Sequence, residues 1–355
     1  MNTPPSTPPG NKQRRDRPTL RTVAQACGLA VTTVSRALNN RSDIALATRQ
    51  RVQQVANDIG YVPDRAGRGL RTGRTHTLSL VLAPQREITG YTASIISGLG
   101  EICRDHGYEL SATPDVPHQD ELTVVRSIVE NRRADGIVLS RTSPQDLRVR
   151  YLLENDFPFV THGRTELATQ HASVDFDNER FAELAATRLL HRGRRHLMLI
   201  GAPANLTYQT HLLNGFSRAV IRNALQCHVA DRPPDLETPL DELRQWIRTL
   251  FSSANHPDGI VCAGETASIA TLAGIRDAGL IPGTDVDVVA KQTSAALDHM
   301  LPAIDSWFED IDMTGRRLGQ TLLQLLSGQT LDEELRTIIQ PEPRLRLSTD
   351  CDTAN

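Results

Sequence analysis

Arg36 carries a planar guanidinium, a fork of N–H donors that can hold two acceptors side by side. In the stretch Thr19 to Leu38, TLRTVAQACGLAVTTVSRAL, the side chains of Val31, Thr32, Ser35 and Arg36 point away from an apolar seam carrying Val34 and Leu38. A guanidinium presented this way can donate two parallel hydrogen bonds to guanine O6 and N7. Thr32 can bond a base edge or touch a thymine methyl, and Val31 offers apolar contact alone. The preceding residues Leu20, Val23, Ala24 and Cys27 fall at i, i+3, i+4 and i+7, one apolar face of a short helix. Gly28 can take the left-handed dihedrals that end it. Two short helices joined by a tight glycine turn form a helix-turn-helix, whose second helix lies in the DNA major groove. A pair of ordinary core helices would carry similar seams, so the spacing alone does not decide.

Charge bears on that choice. The chain has 355 residues and a net charge of −3, but residues 1–75 hold 13 Lys and Arg against 4 Asp, a net of +9, and the remainder is net −12. A basic amino-terminal module on an acidic body is the footprint of a nucleic-acid binder whose body stays off the phosphates. The length suggests two or three domains. The five cysteines, Cys27, Cys103, Cys227, Cys262 and Cys351, form no CxxC pair, which points to reduced thiols in the cytosol and to neither zinc nor a redox pair. The histidines, His118, His162 and His171 among them, show no HxxxH or HxH spacing, so no metal site is expected. No run of about 18 apolar residues is present, so no membrane span is expected. The first 17 residues lack an apolar stretch and read as a disordered tail rather than an export signal.

The elements that must position this chemistry follow in order. A third helix is predicted from Thr48 to Asp58, with Val52, Val55, Ala56 and Ile59 as its stripe and Gly60 as its stop. Residues 64–75 read as a connector. From His76, strand-like runs (THTLSLVLA, YELSATP, GIVLS, FPFVTHG, SVDF) alternate with helical ones (Tyr91 to His106, ELTVVRSIVENRR, DLRVRYLLEND, Asn178 to His191). The pattern restarts with HLMLIG, a helix around His211 to Asn223, GIVCAG, a helix from Thr266 to Ala278, and VDVVA, with RLRLS as the last strand candidate. Repeated βα units make a parallel sheet wrapped by helices. Two successive sets imply two doubly wound lobes, with a ligand at the carboxyl ends of the strands.

The headpiece resembles that of the LacI/GalR family of bacterial repressors. The match runs without a gap through NNRSDIALATRQRVQQVANDIGYVPDRAGRGLRTGRT to Thr75, and TVSRALN, ATRQRV and IGYVPD are similar to family signatures. A weaker likeness extends to about Leu347. The resemblance implies a small all-α headpiece (residues 18–63), a hinge (64–75) and a bilobed α/β domain of the periplasmic-binding-protein type (76–348), with tails at 1–17 and 349–355. It places lobe 1 at about 76–192 and 306–330 and lobe 2 at about 193–303 and 335–348, with crossings near Gly193, near Pro302 to Ser306 and near Gly328 to Arg336. By the resemblance, Val31, Thr32 and Arg36 occupy base-reading positions, and Thr19, Thr33, Asn39 and Thr48 occupy phosphate-contacting ones. Ala30 replaces a usual serine, so one phosphate bond or helix cap is expected to be missing. Leu70 matches a hinge residue that wedges into the minor groove. Gly67 and Gly69 depart from the usual hinge and cost about 1 kcal/mol each in a helix.

The same resemblance implies a homodimer on a palindromic operator and a small-molecule effector, with the protein in the cytoplasm, no cofactor and no enzymatic activity. A homodimer rather than a tetramer is expected because no leucine heptad tail follows RLRLS. The effector positions depart furthest from the family. A usual arginine before the Gly-aromatic pair, here Gly215-Phe216, is Leu212, with Tyr208 and His211 nearby. The usual Asn-Asp is Gly264-Glu265, and a usual aspartate is Gln292, preceded by Lys291. In the first lobe Tyr91 sits where an aromatic stacks on ligand, Arg164 ends a strand, and Asp177 lies at the interlobe edge. Tyr91, Arg164, Asp177, Tyr208, His211, Glu265, Lys291 and Gln292 are therefore the candidate effector contacts. Rings and hydroxyl-binding groups together suit a carbohydrate, and control of a carbohydrate-uptake or catabolism operon follows. Arg164 and Lys291 would equally suit a sugar phosphate or sugar acid. A purine-responsive regulator is the alternative, against which the missing arginine weighs. A solute-binding protein would lack its export signal. An enzyme reading rests on Gly98-Leu99-Gly100, which falls in a helical run rather than between a strand and a helix.

Overall fold

The computed structural model describes residues 18–62, 73–82, 90–114, 120, 122–228, 234–331 and 333–346. The chain divides into two compact units, residues 1–75 and 76–355.

In the first unit, α1 (Leu20–Cys27), α2 (Val31–Leu38) and α3 (Leu46–Asp58) pack around Val23, Ala24, Cys27, Val34, Ala37, Val52 and Ala56. Thr19 starts α1 with a capping box: Thr22 N–H donates to Thr19 Oγ1 at 3.3 Å, and Thr19 N–H donates to Thr22 Oγ1 at 3.1 Å. Gly28 ends the helix at φ +64°, where a Cβ would be strained. Ala30 precedes α2 with no side-chain cap. The third helix begins two residues before the predicted Thr48. Leu70, Gly67 and Gly69 lie outside the described residues.

The second unit holds two six-stranded sheets. The first has the order β11-β5-β4-β3-β1-β2, built from β1 (Thr77–Leu82), β2 (Glu109–Pro114), β3 (Gly136–Ser140), β4 (Phe159–His162), β5 (Ser173–Phe176) and β11 (Arg336–Ile339). The second has the order β12-β10-β9-β8-β6-β7, built from β6 (His196–Ile200), β7 (Gln226–Cys227), β8 (Gly259–Cys262), β9 (Asp287–Gln292), β10 (Asp305–Phe308) and β12 (Glu342–Arg344). Pairing is parallel except where β12 runs antiparallel to β10. Strands such as β3 and β8 are buried on both faces, as parallel strands between helical layers must be.

The crossings between lobes differ from those predicted. The helix after β5, α7 (Asn178–His191), buries Phe181, Ala182, Ala185, Ala186 and Leu189 in a cluster with Leu197, Phe216, Val261 and Val289 of the second sheet. The first crossing is therefore at Asp177, and Gly193 marks only the end of that helix. The segment Asp305–Phe308 joins the second sheet beside β9, so the second crossing falls at Glu309 and Asp310, before α11 (Ile311–Leu326). Arg336–Ile339 pairs with β5 in the first sheet, so the third crossing falls at Gln340 and Pro341. Asp177 ties two of these together: its N–H donates to Ile339 O at 2.8 Å and its carboxylate accepts from Gln340 Nε2 at 3.3 Å.

At Gly98 and at Gly215 neighbouring helices pack backbone to backbone. A Cβ on Gly98 of α4 (Tyr91–Asp105) would stand 2.0 Å from Asp312 O of α11. A Cβ on Gly215 of α8 (Thr207–Arg222) would stand 1.9 Å from Glu179 O of α7. The Gly-Leu-Gly of residues 98–100 thus lies inside α4, and its Gly98 serves the contact with α11. Among the described residues no helix is long and apolar enough to cross a membrane. Replacing Gly98 or Gly215 by Ala should lower unfolding stability by about 1–3 kcal/mol, the cost of overpacking. Gly100→Ala, whose Cβ meets only Leu110 Cδ2 at 3.9 Å, should instead raise it by about 0.5–1 kcal/mol. Denaturant melts of the three variants check this; equal effects would mean the helix contacts are looser than described.

Candidate functional site

On α2 the buried residues Val34 and Ala37 turn one face to the core and leave Val31, Thr32 and Arg36 exposed on the other. Arg36 forms an ion pair with Asp43, with 59% and 43% of the two side chains exposed. An exposed pair contributes about 0–1 kcal/mol, so a stronger acceptor can take the guanidinium from it. The predicted phosphate-contacting residues are placed at helix ends. Thr19 caps α1, Thr33 is half-buried in the first turn of α2, and Thr48 is half-buried in the first turn of α3. Asn39 is exposed after α2, its amide donating to Ser35 O at 2.5 Å.

The second site is a cleft between the two lobes of the body, enclosing about 980 Å³ with its open mouth included. Its polar lining comes from the carboxyl ends of parallel strands: Arg141 and Thr142 after β3, His162 ending β4, Asp175 in β5, Glu265 after β8, Lys291 in β9 and Glu309 after β10. This is where an open α/β sheet binds ligands, because helices crossing back over the sheet leave a crevice there. From the helical side Tyr91 (α4), Asn178 (α7), Tyr208 and His211 (α8) complete it.

The floor is a buried polar chain that joins the lobes. Lys291 Nζ lies 2.7 Å from Glu309 Oε2 and donates to Asn178 Oδ1 at 3.3 Å. Glu309 Oε1 lies 3.3 Å from His162 Nε2, and His162 Nδ1 lies 2.5 Å from the Tyr91 hydroxyl. A carboxylate can only accept, so His162 Nε2 carries a proton, and in the neutral ring Nδ1 accepts from Tyr91. Burial alone would raise the Glu309 pKa, but the Lys291 ammonium and the His162 hydrogen bond outweigh it and bring it down to about 2. Burial opposes the Lys291 charge, yet Glu309 carries its pKa above the ordinary lysine value. Burial, with Glu309 adding to it, pushes the Tyr91 phenol upward. Lys291 Nζ also stands 4.3 Å from the centroid of the Tyr208 ring, a cation–π contact.

The wall is a second interlobe group. Arg164 Nε donates to Asp175 Oδ2 at 2.7 Å, and His211 Nδ1 lies 3.9 Å from the same oxygen. Burial, then the Arg164 charge, lower the His211 pKa. At the mouth, Arg141 holds Glu237 of the other lobe in an ion pair, and Arg141 itself sits at φ 56°. A non-glycine residue in that region is uncommon and is retained where its surroundings hold it. Beside it, Gly163 at φ +104° leaves room for Thr142 Oγ1, which a Cβ would meet at 2.7 Å.

Of the residues singled out from sequence, Tyr91, Arg164, Tyr208, His211, Glu265 and Lys291 line the cleft. Two do not. Gln292 is fully buried on the opposite side of β9 from Lys291, donating to Ser294 O at 2.7 Å and accepting from Ser306 Oγ at 2.6 Å. Neighbouring residues on a strand face opposite ways, so both could not enter one cleft. Asp177 caps α7, accepting from Arg180 N–H at 2.9 Å, and holds the first crossing rather than the cleft. Leu212, where the family's arginine would be, is fully buried, and His211 supplies the polar group one position earlier. Arg141, His162, Asp175, Asn178 and Glu309 were not singled out as effector contacts. All but Glu309 lie at or just after the carboxyl ends of strand candidates, where the crevice rule could have found them. Among the described residues no cluster of three or more His, Cys, Asp or Glu is arranged to hold a metal.

Residues 19–64 match bacterial regulatory proteins of the lacI family, and residues 186–349 match the periplasmic binding protein-like domain. The HTH-type transcriptional regulator CelR of Thermobifida fusca is 26% identical over 344 residues, covering 95% of this chain and 99% of its own. The lac repressor dimer bound to operator and the anti-inducer ONPF superposes with a TM-score of 0.81 at 19% identity, over 94% of this chain and 99% of that one. The transcriptional regulator CelR–cellobiose complex superposes with a TM-score of 0.67 at 24% identity, over 94% of this chain and all of that one. A headpiece that matches the lacI family, on a body that matches the periplasmic binding protein-like domain and aligned nearly end to end with a transcriptional regulator, gives the chain the build of a DNA-binding transcription regulator of the lacI type.

Proposed function

We propose that the protein is a dimeric repressor of a carbohydrate-uptake or catabolism operon, acting in the cytoplasm, and that a carbohydrate in the interlobe cleft controls its hold on a palindromic operator. The cleft carries this reading. Tyr91 and Tyr208 offer rings beside Arg164, His211 and Glu265, which exchange hydrogen bonds with hydroxyls. The similar fold of the transcriptional regulator CelR–cellobiose complex supports the ligand class. Lys291 acts from beneath, by orienting the ring of Tyr208. Asp177 and Gln292 act as braces of the cleft rather than contacts.

On DNA, Arg36 reads a guanine, and Thr32 and Val31 meet a neighbouring base pair through its thymine methyl. Thr19, Thr33, Asn39 and Thr48 bond phosphates, which fix register and carry no sequence information. The wedge role of Leu70 rests on the resemblance of the connector to family hinges. One headpiece covers too few base pairs to be selective, and a two-fold dimer on a palindrome doubles the contact.

Operator affinity should fall with salt at a log–log slope of roughly −7, from about four phosphates per headpiece in a dimer. A nearly flat salt response in filter binding or fluorescence anisotropy would rule out the DNA reading. Arg36→Ala should cost about 1–3 kcal/mol on the correct sequence and relax preference at one base pair per half-site, whereas Thr48→Ala should weaken all sequences alike. Unchanged base preference in Arg36→Ala would mean α2 is oriented otherwise. In a thermal-shift panel of saccharides, sugar phosphates, sugar acids and purines, an effector at 100 times its Kd should add about 2.7 kcal/mol. A melt shifted by purines alone would replace the carbohydrate reading with the purine one.

A further inference from the structure

The cleft has three cationic side chains in its lining, Arg141, Arg164 and Lys291, and each is already held by a carboxylate. Lys291 faces Glu309 at 2.7 Å, Arg164 faces Asp175 at 2.7 Å, and Arg141 is paired with Glu237 across the mouth. Asp175 cannot easily swing aside: it is 4% exposed and its other oxygen accepts from Phe176 N–H at 2.9 Å. Glu309 is 3% exposed and bound on both oxygens. The remaining lining carboxylate, Glu265, is 8% exposed and accepts from Ser294 Oγ at 2.8 Å and from Thr293 Oγ1 at 3.5 Å, with no cationic partner among the described residues. The lining charge left uncompensated is therefore negative.

We infer, building on the carbohydrate reading above, that the effector is an uncharged saccharide, and that sugar phosphates and sugar acids are excluded by the cleft's own carboxylates. An anionic group brought to Arg164 would lie beside the fixed Asp175 carboxylate, and Glu265 adds a further negative charge to the lining. In a partly desolvated cleft a like-charge contact at such distances is strongly unfavourable. A neutral hydroxyl has neither problem. It donates to Glu265 or Asp175 and accepts from the remaining N–H groups of Arg164, so the same ion pairs that repel an anion serve a polyol from both ends.

The test is titration calorimetry on the full-length protein with cellobiose, maltose, lactose and melibiose. Each is run beside the aldonic acid made by oxidising its reducing end and beside its 6′-phosphate. At least one neutral disaccharide should bind, and its acid and phosphate should bind at least about tenfold more weakly, a difference of about 1.4 kcal/mol. A charged derivative that binds as tightly as its parent, or more so, overturns the inference while leaving the carbohydrate reading in place. No binding by any sugar overturns that reading and the inference with it. Asp175→Asn, close in shape to the original and freeing Arg164, should move the acid-to-neutral affinity ratio toward the acid by about tenfold or more. Glu265→Gln should move it the same way. If both variants bind the neutral sugar but leave the ratio unmoved, charge exclusion is not the cause.

Discussion

The body of this protein depends on one buried ion pair, Lys291 with Glu309, at the floor of the cleft. Lys291 lies on β9 of the second lobe, and Glu309 lies where the chain passes from β10 toward the first lobe. Burying two charges is unfavourable unless further hydrogen bonds satisfy them. Here Asn178 at the start of α7 and His162 at the end of β4 supply those bonds, and Tyr91 on α4 continues the chain. A single network thus holds four elements drawn from both lobes at one point. Removing one partner of such a pair costs about 3–5 kcal/mol in general, because the other charge remains buried and uncompensated. Sliding one lobe on the other would break this network and leave its charges unpaired, so the network opposes such motion.

Such a floor suits regulation. The chain crosses between lobes at Asp177, at Glu309 and at Gln340, and two of these crossings are tied through Asp177. A ligand seated on Tyr91, Arg164, His211 and Glu265 touches both lobes at once. It changes their relative free energy only as far as it binds one arrangement better than another. Whatever coupling reaches the operator must start from that difference, and it must be reciprocal.

Much of this was legible in the sequence, for physical reasons. β-branched runs such as GIVLS and GIVCAG announced buried parallel strands, and the seam Leu20, Val23, Ala24, Cys27 announced α1. The strand Asp305–Phe308 gave no such signal, because Asp305 and Ser306 are buried polar residues satisfied by Arg188 and Gln292. The helix α11 was obscured by Gly315 and Gly319, small residues that let it approach α4. The helix Leu240–Phe251 was missed, although Leu243, Ile247 and Phe251, buried at i, i+4 and i+8, carry its spacing. The cleft residues Tyr208 and His211 followed from the family resemblance, by their place beside Leu212 and the Gly215-Phe216 pair. Pairing Lys291 with Gln292 overlooked strand alternation, and Glu309 could not be placed until β10 was. The balance of charge in the cleft was not legible at all, since Arg164 and Lys291 look available until their carboxylate partners are seen.

In the proposed function one chain couples the exposed face of α2 to the interlobe cleft. The most direct measurement is the operator Kd of the full-length protein, at fixed salt, across increasing concentrations of the neutral disaccharide that binds it. The expected result is a saturating change in operator affinity of about 5–150-fold, matched by an equal change in sugar affinity when operator is present. Sugar binding that saturates while operator affinity stays constant would contradict the account.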